Sequence, residues 1–324
     1  MKKGTLLLLV FMWIAACSYA QATFAPYVNY PISAGYADHL TAGDFNHDGK
    51  TDIAVAISWD LHAVLVYYQN PITGAMDTPA VQYNYPLYSA GVRAITSGDI
   101  DNNGRDDIII AYGDSIGVYY QDTSSSLKPL ISIWCSEGEV AVIKVADVDM
   151  DGFNDIVAVP FNSSSDVIVY CGREGSGFTQ INYPTPYTGS YLDDLRVGKV
   201  GRDTINSLVR MNGEFTVIIT QLRIRKDRVL DTTIFRNIPV GAGPAMSGVE
   251  IGRFTDTTVN QIAATYGGNM PSAHLAIWTL PILHTTPIQL LPFQTFLNRS
   301  LPDISAIRSQ NNWSSFTGDG VKSA

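Results

Sequence analysis

The stretch Gly43-Asp44-Phe45-Asn46-His47-Asp48-Gly49-Lys50-Thr51-Asp52 decides the fold, because it returns in register further along the chain. Counted from its first aspartate, it carries an acid or amide at positions 1, 3, 5 and 9 and a glycine at position 6. Further copies start at Asp99, Asp147, Lys199, Arg253 and, faintly, Asn311. Such self-similarity at a nearly constant spacing is the sequence signature of a repeat architecture.

The spacing of about fifty residues is the length of one four-stranded propeller blade. Strand-like runs are predicted in the first unit over Ala37–Gly43, Ile53–Ser58, Ala63–Gln69 and Ala80–Tyr85. The second run is apolar throughout, which is typical of an inner strand buried on both faces. Since the runs keep one order in every unit, we predict an all-β fold: a β-propeller of four-stranded blades. Six or seven blades are expected, the last one incomplete in this chain.

On these residues the unit resembles the FG-GAP or VCBS repeat, the type found in the integrin α-subunit propeller and in many secreted bacterial proteins. The resemblance runs roughly from Phe24 to Asn311, and the stretch 43–52 carries its most specific residues. It implies β-propeller blades with Ca²⁺ in the loop that joins the first two strands of a blade.

The chemistry of the loop indicates calcium independently of that resemblance. Carboxylates at alternate positions of a tight loop can direct their oxygens inward, glycine at position 6 permits the sharp turn, and position 7 supplies a carbonyl. Flexible loops with six or more oxygens select Ca²⁺ over Mg²⁺. The predicted ligands of three Ca²⁺ sites are Asp44, Asn46, Asp48, Lys50 and Asp52; Asp99, Asp101, Asn103, Arg105 and Asp107; and Asp147, Asp149, Asp151, Phe153 and Asp155, with Lys50, Arg105 and Phe153 contributing carbonyls. The alternative is that these residues form ordinary solvated turns.

The fourth and fifth copies of the repeat, the worn copies, lack the acids at positions 1 and 9. Position 1 becomes Lys199 or Arg253, and position 9 becomes Ser207 or Gln261. We predict that neither loop binds a metal ion. Either the cationic side chain occupies part of the ion's space, or these loops have become ordinary turns with exposed cations.

Residues 1–20 have the pattern of a secretory signal peptide. Lys2 and Lys3 form a basic start, Leu6–Ala16 is an apolar run, and Ala20 ends a small-residue cleavage site. We therefore predict a secreted, extracellular protein. No later segment has the roughly twenty uninterrupted apolar residues of a transmembrane helix.

A lipobox-like sequence ends at Cys17 and offers an alternative, an outer-surface lipoprotein with a lipid anchor at that residue. In the favoured arrangement, residues 21–324 form the propeller. Phe24–Pro31 resembles a fourth strand, which suggests that the N-terminus completes the last blade. Because the last copy stops near Asn311, we expect the chain to be truncated at its C-terminus; an open ring, or five blades plus a partial sixth, are the alternatives.

The net charge and the lack of enzyme motifs argue against two classes of function, nucleic-acid binding and catalysis. A net charge of −9 argues against nucleic acid as a partner. The five histidines show no metal-ligand spacing, and the sequence contains no Gly-x-Ser-x-Gly elbow, so an enzyme is not expected. We predict a non-catalytic, calcium-binding adhesion or ligand-binding module for an extracellular protein or glycan. The alternatives are an accessory or catalytic propeller of a polysaccharide-degrading enzyme, or a structural segment of a larger surface protein.

Two further features concern cysteines and tryptophans. Cys135 and Cys171 fall on different predicted blades and are expected to be buried free thiols, with a disulfide as the alternative. Trp59, Trp134 and Trp278 are candidates for stacking on sugar rings, although such side chains more often pack between blades.

Overall fold

In the part of the chain that the computed structural model describes, every regular element is a β-strand. The described residues are 27–32, 35–58, 60–86, 91–123, 126–161, 166–173, 177–184, 192–201, 206–212, 216–224, 227–239, 246–255, 258–266, 274–278 and 295–296. The predicted signal peptide, Cys17, Trp59 and the start at Asn311 lie outside them. No helix in the described ranges is long and apolar enough to span a bilayer.

The strands in these ranges form five antiparallel sheets of four, each a meander in chain order. Sheet one contains β1 (Tyr36–Gly43), β2 (Asp52–Ser58), β3 (Ala63–Tyr67) and β4 (Val81–Asn84). Sheet two contains β5 (Val92–Gly98), β6 (Asp107–Tyr112), β7 (Ser115–Tyr119) and β8 (Ile131–Trp134). Sheet three contains β9 (Val140–Ala146), β10 (Asp155–Pro160), β11 (Asp166–Cys171) and β12 (Thr179–Pro184).

Sheet four contains β13 (Leu192–Lys199), β14 (Asn206–Asn212), β15 (Thr216–Ile224) and β16 (Leu230–Pro239). Sheet five contains β17 (Met246–Gly252), β18 (Gln261–Tyr266), β19 (His274–Trp278) and β20 (Thr295–Phe296). The first strands of successive sheets pack against each other in order from β1 to β17. The fold is a β-propeller of four-stranded blades, as predicted.

The second strand of blades two and three is apolar on both faces, which suits its inner place in the sheet. Every residue of β6 and of β10 is buried, and each of these strands hydrogen-bonds to a neighbour on either side. A fully buried Ile or Val side chain contributes about 1.5–3 kcal/mol to folding. These strands therefore set the blade in place and fix the ends from which its loops extend.

The core consists of apolar clusters between successive blades. Ile109 of sheet two and Ile156 of sheet three belong to one such cluster, and Val157 of sheet three and Leu208 of sheet four belong to another. Cys135 lies in the first cluster and Cys171 in the second, both as buried free thiols. The prediction of unpaired buried cysteines is confirmed.

Two expectations about individual segments have different outcomes. Residues 27–32 are not part of a strand, so the predicted strand over Phe24–Pro31 is not observed in its described portion. Trp134 stands on the outer strand β8 with 65% of its surface exposed, whereas the side chain of Trp278 lies outside the described part.

Candidate metal centres

Three acidic loops occupy the same corner of three successive blades. They are loop one (44–52), loop two (99–107) and loop three (147–155). Each joins the first strand of its sheet to the second, and each hairpin is closed by an equivalent residue pair. The closing pairs are Gly43 with Asp52, Gly98 with Asp107, and Ala146 with Asp155. The structure therefore brings the predicted ligands of each site together within one loop and places the three sites one blade apart.

All three loops share one backbone conformation, with left-handed residues at positions 4 and 6. The φ angles at position 6 are 80° at Gly49, 81° at Gly104 and 98° at Gly152. Those at position 4 are 59° at His47, 61° at Asn102 and 60° at Met150. The glycine was predicted from its conformational freedom. The left-handed conformation at position 4 was missed because its three residues share no type: His47 and Asn102 are of types enriched in this region, whereas Met150 is not.

The carboxylate at position 1 is turned into the loop by backbone donors. The N–H of position 5 donates to its Oδ1 and the N–H of position 6 donates to its Oδ2. These distances are 3.0 and 2.8 Å at Asp44, 2.9 and 2.7 Å at Asp99, and 3.1 and 3.0 Å at Asp147. The position 5 N–H also donates to the side chain at position 3, which is Asn46, Asp101 or Asp149.

Position 7 directly follows the left-handed glycine. The N–H groups of Lys50 and Phe153 donate to the position 5 carboxylates of Asp48 and Asp151, at 2.8 and 2.9 Å. These bonds hold the position 5 side chains over the turn. Arg105 is the equivalent residue in loop two and is half-buried.

The aspartate at position 9 lies beneath the loop, fully buried, and fastens it to the rest of the blade. One carboxylate oxygen accepts the N–H of position 2, at 2.9 Å in all three loops. The other accepts an N–H from the segment after the third strand, at 2.8 Å in all three loops. The residues concerned are Asp52, Asp107 and Asp155, which accept from Phe45 and Gln69, from Ile100 and Gln121, and from Val148 and Gly172.

Acidic oxygens are crowded in loops two and three. Ligand atoms of Asp99, Asp101 and Asp107 lie within 4.8 Å of one another, as do those of Asp147, Asp149 and Asp151. In loop one, position 3 is the amide Asn46, so this loop brings fewer carboxylates together. These oxygen-rich groups fit a hard divalent cation and could hold one.

Burial changes the protonation of the innermost groups. It raises the pKa of Asp107 and of Asp155 to about 7, partly offset by the hydrogen bonds that each carboxylate accepts. A further cluster joins Asp149 and Asp155 to the sulfur of Cys171. Burial raises the pKa of the Cys171 thiol to about 12. A hard cation such as Ca²⁺ takes oxygen ligands, so the carboxylates are the groups of this cluster that suit it.

Neighbouring loops are connected by the residue at position 8. Its side-chain amide donates to the carbonyl oxygen of position 1 in the preceding loop, at 2.6 Å from Asn154, 2.9 Å from Asn206 and 2.9 Å from Asn260. Between loops one and two, the Asp106 carboxylate instead accepts the Asp44 N–H at 2.9 Å. Sequence reasoning missed this position, although its asparagines recur in the worn copies.

The loop that starts at Arg253 keeps the position 9 contact of the acidic loops without an acid at that position. Gln261 is buried at position 9, and its Oε1 accepts the N–H groups of Phe254 and Thr255 at 3.1 and 2.7 Å. The side chains of Lys199 and Arg253 are exposed, which agrees with the expectation of ordinary turns with exposed cations. The side chain at position 9 of this loop thus still accepts the backbone N–H of position 2, although it is not a carboxylate.

Arg228 is a further residue that the sequence analysis missed. It belongs to sheet four, yet its guanidinium faces two acids of loop three, at 3.3 Å from Asp149 and 3.4 Å from Asp151. No motif marks it, because it lies outside the repeated stretch.

Four-stranded blades with acidic loops between their first two strands define a repeat β-propeller. Residues 44–110 and 99–158 each match the model of the FG-GAP-like repeat family. Residues 44–158 thus carry FG-GAP-like repeats, as the resemblance implied. A search of curated protein sequences found no match.

Among solved structures, one with a TM-score above 0.5 has a similar fold, and two further matches have lower scores. A lectin from Agrocybe aegerita, described with its recognition of non-reducing terminal N-acetylglucosamine, is 15% identical with a TM-score of 0.51, over 72% of this chain and 64% of the lectin. BBS1N in complex with ARL6DN is 12% identical with a TM-score of 0.40, over 77% of this chain and 79% of that one. The Photorhabdus luminescens Tc holotoxin pore is 16% identical with a TM-score of 0.42, over 76% of this chain and 11% of that one.

Proposed function

We propose that this protein is an exported, non-catalytic binding module whose propeller is braced by three calcium ions and which recognises an extracellular protein or glycan. The observation that carries the proposal is the identical geometry of the three acidic loops at equivalent blade corners. Calcium ligands in each loop are the residues at positions 1, 3, 5 and 9 with the carbonyl of position 7. Export follows from the signal-peptide pattern over residues 1–20.

Calcium fits these loops for an electrostatic reason. In loop two and in loop three, the oxygens of three carboxylates lie within 4.8 Å of one another. Their mutual repulsion opposes folding unless a cation lies among them. An ion bound only by the native state stabilises that state by mass action. The ions therefore act on the fold itself and do not need to contact the recognised ligand.

Ligand binding is assigned to surfaces away from these loops. Trp134 and Ile131 on the outer strand β8 expose 65% and 50% of their surfaces. An exposed indole can stack on the apolar face of a sugar ring. The Agrocybe aegerita lectin with a similar fold recognises terminal N-acetylglucosamine, so glycans with this end group belong among the probes.

Calcium titration by calorimetry, on the chain without residues 1–20, tests the ion sites. We expect uptake of three Ca²⁺, and absence of uptake would overturn this part of the proposal. Glycan and extracellular-protein arrays, read with Ca²⁺ and with chelator, test recognition. Binding lost in the W134A variant would place the ligand at β8, whereas turnover of a polysaccharide by the protein would replace the binding assignment with catalysis.

A further inference from the structure

The guanidinium of Arg228 lies against the acids of loop three from the neighbouring blade. Its Nε is 3.3 Å from the Oδ2 of Asp149 and its Nη2 is 3.4 Å from the Oδ2 of Asp151. The same Nη2 lies 3.5 Å from the carbonyl oxygen of Gly172. Asp149 and Asp151 are positions 3 and 5 of the loop, so two of its calcium ligands face a protein cation.

The turn that carries Arg228 is held in place for this contact. Arg228 lies between β15 and β16 with a left-handed φ of 64°. Its carbonyl oxygen accepts a hydrogen bond of 2.7 Å from the hydroxyl of Tyr183 on β12. Sheet three thus fixes the backbone of a residue in sheet four, and the side chain reaches back to the loop of sheet three.

The burial of Asp149 explains electrostatically why this carboxylate is paired with Arg228. Asp149 has only 1% of its surface exposed, and a buried carboxylate needs a counter-charge or a proton. Near loop two, Lys128 forms an ion pair with Asp122 at 4.0 Å, and its charge acts on Asp101 without a direct ion pair. Among the described contacts, loop three is the acidic loop to which a cationic side chain is paired directly.

We propose that Arg228 is the resident counter-cation of loop three and that Ca²⁺ binds this loop by displacing its guanidinium. This inference rests on the proposed calcium function. Two cations cannot share the Asp149 and Asp151 oxygens without strong repulsion. Loop three is therefore the weakest of the three calcium sites, and its occupancy frees the side chain of Arg228 from the loop.

The test isolates loop three in a D44A/D99A background, which removes position 1 of loops one and two. Calcium titration by calorimetry then compares this background with and without R228Q. We expect R228Q to lower the calcium dissociation constant by about tenfold, because the competing charge is gone. R228K keeps the charge and should stay near the background value, and K128Q is the matched control for removing a cation elsewhere.

The outcomes separate the two proposals. If neither the wild-type chain nor the D44A/D99A background takes up Ca²⁺, the calcium function fails. If the background binds Ca²⁺ but R228Q leaves its dissociation constant unchanged, the role of Arg228 is overturned. In the reciprocal D147A background, which disables loop three, R228Q should have no effect on the remaining sites.

A second measurement does not depend on the folding of R228Q. Trypsin cleaves after arginine, and the bond between Arg228 and Val229 should be cut faster in saturating Ca²⁺ than in chelator, relative to cleavage after Lys199. Trypsin activity is normalised on a small peptide in each buffer. Equal or slower relative cleavage at Arg228 in Ca²⁺ would overturn the displacement.

Discussion

The side-chain amide of Asn154 donates a hydrogen bond of 2.6 Å to the carbonyl oxygen of Asp99, across the seam between the second and third blades. Asn206 and Asn260 make the equivalent bond across the next two seams. Each bond ends on the residue at position 1 of the preceding copy. The loops of adjacent blades are consequently connected to one another, in addition to the apolar packing below them.

Replacing Asn154 by alanine should lower the free energy of unfolding by about 1 kcal/mol, because the amide donor is lost. Urea unfolding in chelator measures this without any contribution from ions. N29A is the control, since Asn29 is an exposed asparagine outside the strands. Equal losses in the two variants would mean that the seam bond adds nothing.

Asp48→Ala should destabilise the protein mainly when calcium is present. Asp48 is exposed at position 5 of loop one, and its loss removes a ligand without opening the core. At free Ca²⁺ about a hundredfold above the dissociation constant, one bound ion stabilises by about 2.7 kcal/mol. Thermal unfolding in calcium and in chelator checks this, and a similar loss in both buffers would point to the loop itself.

Asp107→Ala should be destabilising in both buffers. Its removal leaves the N–H groups of Ile100 and Gln121 without their acceptor, and each buried unpaired group costs about 1–3 kcal/mol. D48A is the matched comparison within the same kind of loop. If D107A were harmless in chelator, position 9 would serve the ion alone.

Met150→Asn should stabilise loop three by about 0.5–1 kcal/mol, because asparagine tolerates the left-handed conformation better than methionine does. Met150 is exposed, so little apolar packing is lost. Asn102 occupies the same position in loop two, and N102M should give the opposite change. Urea unfolding in chelator measures both; a loss in M150N would show that the methionine side chain contributes through packing.

His39 should make stability fall at mildly acidic pH. Burial lowers its pKa from 6.5 to about 4, with Asp38 on its own strand raising the pKa and Arg93 on β5 lowering it. The unfolded chain therefore takes up a proton first, and this residue's contribution is present above pH 6.5 and is lost as pH falls towards 4. The loss is on the order of 3 kcal/mol.

The H39Q variant cannot take up this proton, so its stability should depend less on pH in that window. The comparison is made by urea unfolding at several pH values in chelator. Carboxylates titrate in the same range, but they are common to both proteins and cancel in the difference. Parallel pH curves for the two proteins would contradict the assignment to His39.

Much of the fold could be predicted because the same residue types recur at equivalent positions of successive units. Apolar runs such as Ile108–Ala111, bounded by turn residues in every unit, are typical of inner strands that are covered on both faces. Gly49 likewise marks the sharp turn of its loop through its own conformational freedom. The strands of the first blade and the corner that each acidic loop occupies followed from these local rules.

The sequence by itself determined the repeat, the strand order and the loops in which acids and amides alternate, because these depend on residues close together along the chain. Only the tertiary structure decided what those loops meet. Asn154 donates a hydrogen bond to the carbonyl oxygen of Asp99 in the preceding blade, and Arg228 in the following blade forms an ion pair with Asp149. Such partners are far apart along the chain, and no local pattern encodes a contact that exists only after the blades have packed side by side.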